Sequence, residues 1–467
     1  MGWVVGIGAV SVTLIGFAVL AVLSGWTASA ATLDMDSVER TIRDRVERGL
    51  TPGMIIAVVD KDGATYFAHG HTTPGGAPVD ADTVFEIGSI TKAFVGILLA
   101  SMAEDGLVEL DAPLAECLPE GTVVPSLDGE NITLLHLATH TSGLPRMPAN
   151  FDPANPANPY ADYDSDALLD ALAGSTLSGK PGARHEYSNF GTALLGYALA
   201  HVAGQDFESL MRARVLEPLG LTDTAIVLPE SMRARMATGH IGTEPTSQWD
   251  FDAFAGAGAL RSTARDMVRF LEANLGITET PLREALDTAA TARTDADTPD
   301  TRVGLGWHIS GTPGGREAVW HNGGTGGFRT IVGFDRDAGR GVVVLANSSV
   351  EVTDDIGMHL ADPRAPLATM TPRTEIELAP SAMEPFTGQY ELQPGMVFDI
   401  ELRDGTLHAR LTDQGWLPIY PEAPDRFFYK AVDAQLVFQR DDEGAVTGVT
   451  LHQGGMQQTA PRLSPSP

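Results

Sequence analysis

Residues 85–94 read FEIGSITKAF, an otherwise apolar run in which Ser89 stands three positions ahead of Lys92. Residues i and i+3 of a helix share a face, so the pair is expected side by side on a helix from Ser89 to about Met102. That helix is apolar on nearly every side and therefore belongs in the middle of the fold. The lysine carries chemical information, because the chain holds only four lysines against 27 arginines. A desolvated lysine can release its proton whereas an arginine cannot. Lys92 can then take or relay the Ser89 hydroxyl proton and leave a nucleophilic alkoxide. With Ser89 at the helix start, its backbone N–H points toward a developing oxyanion. The plainer alternative makes Ser89 an N-cap and lets Lys92 reach solvent.

Two later segments bear on that choice. In RHEYSNFGTALLGYAL, residues 184–199, Tyr187 and Asn189 follow a Pro-Gly turn and precede a helical run. A phenol near a lysine ammonium is expected to have its pKa drawn down from about 10 and to act as acid or base. The asparagine can hold a substrate amide. In VWHNGGTGGFRT, residues 319–330, His321, Asn322 and Gly323 sit on a strand, followed by Gly324. Positions without side chains let a substrate backbone approach the strand edge. A phosphate loop is disfavoured, because these glycines lead into another strand and no helix N-terminus follows.

Outward from these segments, residues 35–50 place Val38, Ile42 and Val46 on one face of a first helix. Residues 54–70 read as a hairpin turning at Lys61, Asp62 and Gly63. Residues 105–300 are mostly helical in pattern, interrupted by the Pro- and Asn-rich stretch 147–164, expected as a surface loop beside a cleft. Strand character returns near 317–349, so the sheet begun near residue 54 is completed from the far end of the chain, with the helical middle inserted beside it. Five prolines between 361 and 385 mark a linker. Residues 386–467 alternate apolar and polar positions around D-G and E-G turns, the pattern of an antiparallel β domain.

A formal charge of −30 disfavours nucleic acid and anionic membrane surfaces as partners. The single cysteine, Cys117, excludes an intramolecular disulfide and reads as a buried thiol. His136 and His140 are four apart, but HLATH lacks the glutamate of a zinc protease, and no metal site is expected. Asp111 reads as a turn or cap residue. Residues 2–33 carry no charged side chain and include Ala28-Ser29-Ala30, the A-x-A form read by signal peptidases. Residues 1–30 are therefore expected to be a cleaved signal peptide or, being long enough to span a bilayer, a retained anchor. Either outcome makes the protein periplasmic or secreted, with membrane attachment only through this segment.

Ser89-x-x-Lys92, Tyr187-Ser188-Asn189 and His321-Asn322-Gly323, in that order, resemble the three active-site motifs of the serine β-lactamase and penicillin-binding protein superfamily, specifically its class C β-lactamase-like branch. FEIGS, ITLLHLATHTSGLP, ALRSTARDMVRFL, GLGW and GGTGGF add to the resemblance, which covers about residues 35–350. It implies an α/β (α+β) fold, an antiparallel sheet flanked by helices with a mainly helical subdomain, spanning residues 31–360. Residues 386–467 resemble the barrel-like β domains appended to some peptidase relatives. The resemblance further implies Ser89 as acylated nucleophile, with proton transfer shared by Lys92 and Tyr187. Asn189 would position the substrate amide, the N–H groups of Ser89 and Gly324 would hold the oxyanion, and His321 and Gly323 would line the sheet side of the cleft. Water would hydrolyse the acyl-enzyme without metal or other cofactor.

Two positions depart from the class C pattern: Thr91 precedes the motif lysine, and the third motif is His321-Asn322-Gly323 where Lys-Thr-Gly is usual. A histidine near its unperturbed pKa of about 6.5 anchors a substrate carboxylate less firmly than an ammonium. H-x-G versions resemble the D-aminopeptidase, D-peptidase and esterase members of the branch. The expected function is an exported serine hydrolase acting on D-amino-acid-containing peptides, such as those of peptidoglycan, or small esters. The alternatives are a true β-lactamase and a penicillin-binding or muropeptide-sensing protein that acylates without turnover.

Overall fold

A computed structural model describes residues 33–463 apart from 369–372, 394, 413–415, 431–433 and 454–455. The expected export segment lies outside the described residues. Among those described, no helix is long and apolar enough to cross a membrane.

Asp34 caps the first helix, α1 (Met35–Glu47), by accepting from the Ser37 N–H at 3.2 Å. Val38 and Ile42 are buried. The chain then forms a hairpin of β1 (Gly53–Asp60) and β2 (Gly63–Gly70), paired from Gly53↔Gly70 to Asp60↔Gly63. The central helix, α2 (Thr91–Glu104), is preceded by a 3-10 turn at Gly88–Ile90 and is buried from Thr91 through Met102. A mainly helical region follows, containing α3 (Asn189–Ala203) and α4 (Ala264–Leu275).

The sheet is completed by β3 (Thr294–Asp295), β4 (Thr301–Val303), β5 (His308–Gly311), β6 (Glu317–Gly324), β7 (Arg329–Asp335) and β8 (Arg340–Ala346). Its order is β2-β1-β8-β7-β6-β5-β4-β3, and every neighbouring pair is antiparallel. The N-terminal hairpin therefore sits beside the last strand, as the sequence pattern predicts. Side chains alternate across the sheet. Met54, Ile56, Val342 and Val344 pack with α1 and with α5 (Asp354–Ala361), whereas Ile55, Ala57, Val343 and Leu345 join the core under α2 and α4. Central strands covered on both faces read as continuous apolar runs, as MIIAVV and GVVVLA do. A ladder of rings, Phe94 on Phe270 at 4.3 Å, Phe270 on Trp307 at 5.8 Å and Trp307 against Phe334 at 5.5 Å, ties α2 through α4 to β7.

Beyond α5, residues 373–379 have neither helix nor strand, and a short helical turn at Pro380–Met383 leads into β9 (Gly388–Gln393). The remaining strands are β10 (Met396–Arg403), β11 (Thr406–Leu411), β12 (Leu417–Ala423), β13 (Arg426–Tyr429), β14 (Ala434–Arg440), β15 (Val446–Gln453) and β16 (Met456–Pro461). They pair in sequence order, and a bridge between Tyr390 and Arg462 brings first and last strands together, so the sheet curls into a nearly closed barrel. Phe386, Tyr390, Phe427 and Phe438 fill its interior. Alternation of apolar and polar residues over 398–453 fits this closure, because one face of each strand is inside. The observed architecture is the expected one: an antiparallel sheet flanked by helices, a helical region beside it, and a C-terminal antiparallel barrel.

Candidate active site

Ser89 lies in the 3-10 turn that opens α2, and Lys92 follows one turn later on the same face. Lys92 is only 1% exposed, with Nζ 2.9 Å from Ser89 Oγ and donating to the Ala257 carbonyl at 2.6 Å. Burial, with the Arg146 cation adding to it, drives the lysine pKa well below its usual 10.5. Its two polar contacts are neutral oxygens, and among the described residues no carboxylate is paired with it. An uncharged amine placed this way has a lone pair to receive the serine proton.

Ser188 caps α3, its Oγ accepting from the Gly191 N–H at 2.8 Å and donating to the Pro145 carbonyl at 2.7 Å. This fixes Tyr187 just outside the helix and Asn189 at its first turn. The Tyr187 ring lies 5.0 Å from Lys92 Nζ on one side and 5.0 Å from Arg146 Cζ on another, and its hydroxyl is hydrogen-bonded to Ser89. Here the structure corrects an expectation. The phenol is pushed up to about 12, because burial outweighs the opposing effects of the Ser89 hydrogen bond and Arg146. The reasoning from a neighbouring ammonium fails because the same burial strips Lys92 of its charge. Asn189 lines the cleft, with Nδ2 3.7 Å from Met147 Sδ.

The third motif ends β6. Pairing between β5 and β6 stops at His308↔Trp320, so residues 321–324 have that edge free of a neighbouring strand. Alternation sends Trp320, Asn322 and Gly324 toward the cleft, whereas His321 and Gly323 are absent from its lining. His321 was expected to line the cleft; it is instead 1% exposed, its ring 5.0 Å from His308 and 6.4 Å from Tyr187. Its Nδ1 meets the Asn322 carbonyl, and its Nε2 has no hydrogen-bond partner among the described residues. Burial, followed by His308 and Lys92, holds its pKa well below the usual 6.5, so it offers the cleft a neutral ring and no cation.

Gly323 serves packing. A Cβ there would fall 2.0 Å from the Ile87 carbonyl oxygen and 2.5 Å from Thr330 Oγ1, which itself donates to Ile87 O at 3.1 Å. Gly88, with φ +51°, packs against the Gly324 backbone so closely that a Cβ would lie 2.8 Å from the Gly324 nitrogen. The two glycines press the end of β6 onto the Ser89 turn and bring the N–H of Gly324 beside it.

The cleft encloses about 570 Å³. Sequence reasoning missed several residues that line it, among them Arg146, Trp249, Trp320 and Arg329, and gave Asn322 no role of its own within the third motif. Tyr160 brings the 147–164 loop to its rim, where that loop was expected, and stacks on Phe251 at 4.8 Å. Buried Glu86 spans beneath two lining residues, accepting from the Trp249 N–H at 2.9 Å and from the Thr325 hydroxyl. Its carboxyl is raised by burial against the pull of Arg261. Of the two histidines weighed as ligands, His136 completes a capping box with Thr133, and buried His140 accepts from the Ser188 N–H at 3.2 Å. His140 thus supports the second motif from below.

A family model described as Beta-lactamase matches residues 38–363, and one described as a domain of unknown function, DUF3471, matches residues 372–464. The chain is 30% identical over 348 residues to a beta-lactamase of Escherichia coli K12, covering 67% of this chain and 89% of that one. It is 28% identical over 310 residues to the D-alanyl-D-alanine-carboxypeptidase/endopeptidase AmpH of the same organism, covering 64% of this chain and 80% of the relative. Among solved structures, the D-alanine carboxypeptidase AmpC from Burkholderia cenocepacia superposes with a TM-score of 0.57 at 28% identity, covering 67% of this chain and 93% of its own. A class C beta lactamase from Rhodobacter sphaeroides gives 0.60 at 25%, covering 70% and 97%.

Proposed function

This chain belongs to the beta-lactamase family of serine hydrolases, and we propose on that footing that it hydrolyses amide or ester bonds of D-amino-acid-containing peptides or small esters through an acyl-Ser89 intermediate. The observation that carries this reading is Lys92, buried 2.9 Å from Ser89 Oγ and without a carboxylate partner among the described residues. Uncharged Lys92 takes the hydroxyl proton as Oγ bonds to the substrate carbonyl carbon. The N–H groups of Ser89 and Gly324 receive the negative oxygen that forms. The C–N or C–O bond then breaks, the neutral phenol of Tyr187 gives its proton to the leaving group, and the Lys92 ammonium returns one to Tyr187. Water repeats the sequence on the acyl-enzyme, with Asn189 holding the substrate amide throughout. The apolar N-terminal segment exports the enzyme, so peptidoglycan-type peptides are within its reach.

Neutral, buried His321 in place of an ammonium argues for peptides and esters ahead of β-lactams. A β-lactamase reading draws support from the Escherichia coli relative and from Arg146 and Arg329 in the cleft, which can meet a lactam carboxylate. The test offers the protein a fluorescent penicillin, a chromogenic cephalosporin, p-nitrophenyl esters and D-amino-acid p-nitroanilides, with intact mass read alongside turnover. Turnover of the esters or anilides, lost in Ser89→Ala, is expected. Turnover that survives Ser89→Ala overturns the mechanism, fast cephalosporin hydrolysis favours the β-lactamase, and a stable adduct without turnover favours a sensor.

A further inference from the structure

Asn322 is the third-motif side chain that faces the cleft, and it is held from behind. Its Nδ2 donates to Asp354 Oδ2 at 2.5 Å, across from β6 to the first residue of α5. An ionised carboxylate only accepts. It therefore fixes the amide with nitrogen inward and the carbonyl Oδ1 toward the cleft, and among the described residues Oδ1 makes no hydrogen bond. The groups facing Asp354 are Thr353 and Glu351 from the segment leading into α5, Arg329 from β7 and Asn322 from β6. Burial, then Glu351, push the Asp354 carboxyl up to about 6, against the hydrogen bonds from Asn322 and Thr353 and the charge of Arg329. Asp355, next along the helix, turns away to pair with Arg45 of α1.

We propose that Asp354 is a positioning residue that sets Asn322 to present a hydrogen-bond acceptor at the sheet side of the cleft, selecting substrates that offer an N–H or ammonium donor there over those that offer a carboxylate. This deepens the reading of the cleft as a serine hydrolase site and rests on it. A carboxylate at that place would face the Asn322 carbonyl with the Asp354 charge behind it, while the nearby Arg329 is already engaged by Glu351 at 3.7 Å and by the Ser349 carbonyl at 3.0 Å. Once protonated, Asp354 donates as well as accepts, so the amide is free to turn and the selection weakens.

The test measures how D-alaninamide, which carries an ammonium, and succinamate, which carries a carboxylate, compete with turnover of p-nitrophenyl acetate. The quantity read is the ratio of their inhibition constants, which does not require either to be hydrolysed. In the wild type the preference for D-alaninamide falls about fivefold or more between about pH 7 and about pH 5, following protonation of Asp354. In Asp354→Asn the preference at about pH 7 falls by a similar factor and no longer moves with pH, since a neutral amide imposes no orientation. Asn322→Ala, which leaves Asp354 in place, should lower the preference at about pH 7 by a similar factor and covers the case in which Asp354→Asn does not fold. Ratios within about twofold of wild type in both variants, a wild-type ratio flat with pH, or failure of both ligands to compete overturns the proposal. Survival of acetate turnover in Ser89→Ala would instead remove the hydrolase reading beneath it.

Discussion

Gly323 has no room for a side chain against Ile87: a Cβ would sit 2.0 Å from the Ile87 carbonyl oxygen. Gly323→Ala must therefore push the end of β6 off the Ser89 turn and carry the Gly324 N–H with it. Losing one oxyanion donor costs about 10²–10³ in kcat, and overpacking a tight contact costs about 1–3 kcal/mol of stability. Ester turnover is expected to fall by about a hundredfold or more, with a lowered melting temperature. A variant that melts earlier but keeps wild-type kcat would separate the packing role from the catalytic one and refute the latter.

Lys92 differs in protonation between the folded and unfolded chains. Its folded pKa lies well below 10.5, so unfolding takes up a proton over the interval between the folded value and the usual lysine value of about 10.4. The unfolded state binding more protons, stability rises with pH across that interval. Lys92→Met has no such group. Melting temperatures measured from neutral pH upward are expected to show wild type gaining on the variant as pH rises, while acylation of the variant falls by about 10³ or more. A constant gap would mean that the lysine is charged in the fold.

Tyr187, held near 12, stays a neutral phenol throughout the working range and is suited to giving a proton to a departing amine. Tyr187→Phe should then hurt anilides, whose leaving group needs a proton, by about 10²–10³, and p-nitrophenyl esters, whose leaving group does not, by about tenfold or less. The wild-type pH–rate profile should show no alkaline limb from this group below about pH 11. Equal losses on both substrate types would assign Tyr187 to the attack step.

The sequence makes some of this plain and hides the rest for identifiable reasons. Ser89 and Lys92 are related by helical spacing alone, and the hairpin at Lys61 to Gly63 by turn chemistry, so both are legible locally. The alternating strands of residues 388–461 announce an antiparallel domain, but the Tyr390 to Arg462 bridge that nearly closes it joins residues at opposite ends of the domain. The parity of β6 was readable as a period of two. Which parity meets the cleft was not, because that depends on which elements, distant in sequence, cover each face of the sheet. Burial misled the reading of Tyr187 and His321 for the same reason: desolvation is supplied by distant segments, and it reverses the expected sign for the phenol. Asp354 and Arg146 left no local mark because each matters only through what stands beside it.

Arg146 shows how that non-local charge can be tested. Its guanidinium lies 5.0 Å from the Tyr187 ring, lines the cleft, and lowers the pKa of both Lys92 and Tyr187. Removing the cation lets the Lys92 pKa rise, so at a given pH less of the amine is free to accept the Ser89 proton. Arg146→Gln should therefore move the acid limb of kcat/KM to higher pH, with a several-fold loss near neutrality that closes as pH rises. Arg146→Lys, which keeps the charge, should leave the limb near its wild-type position. The check is a full pH–rate profile with p-nitrophenyl acetate, an uncharged substrate on which Arg146 has no carboxylate to bind. If the profiles of wild type and Arg146→Gln superimpose, Arg146 does not tune the lysine, and its place in the cleft is left to substrate binding alone.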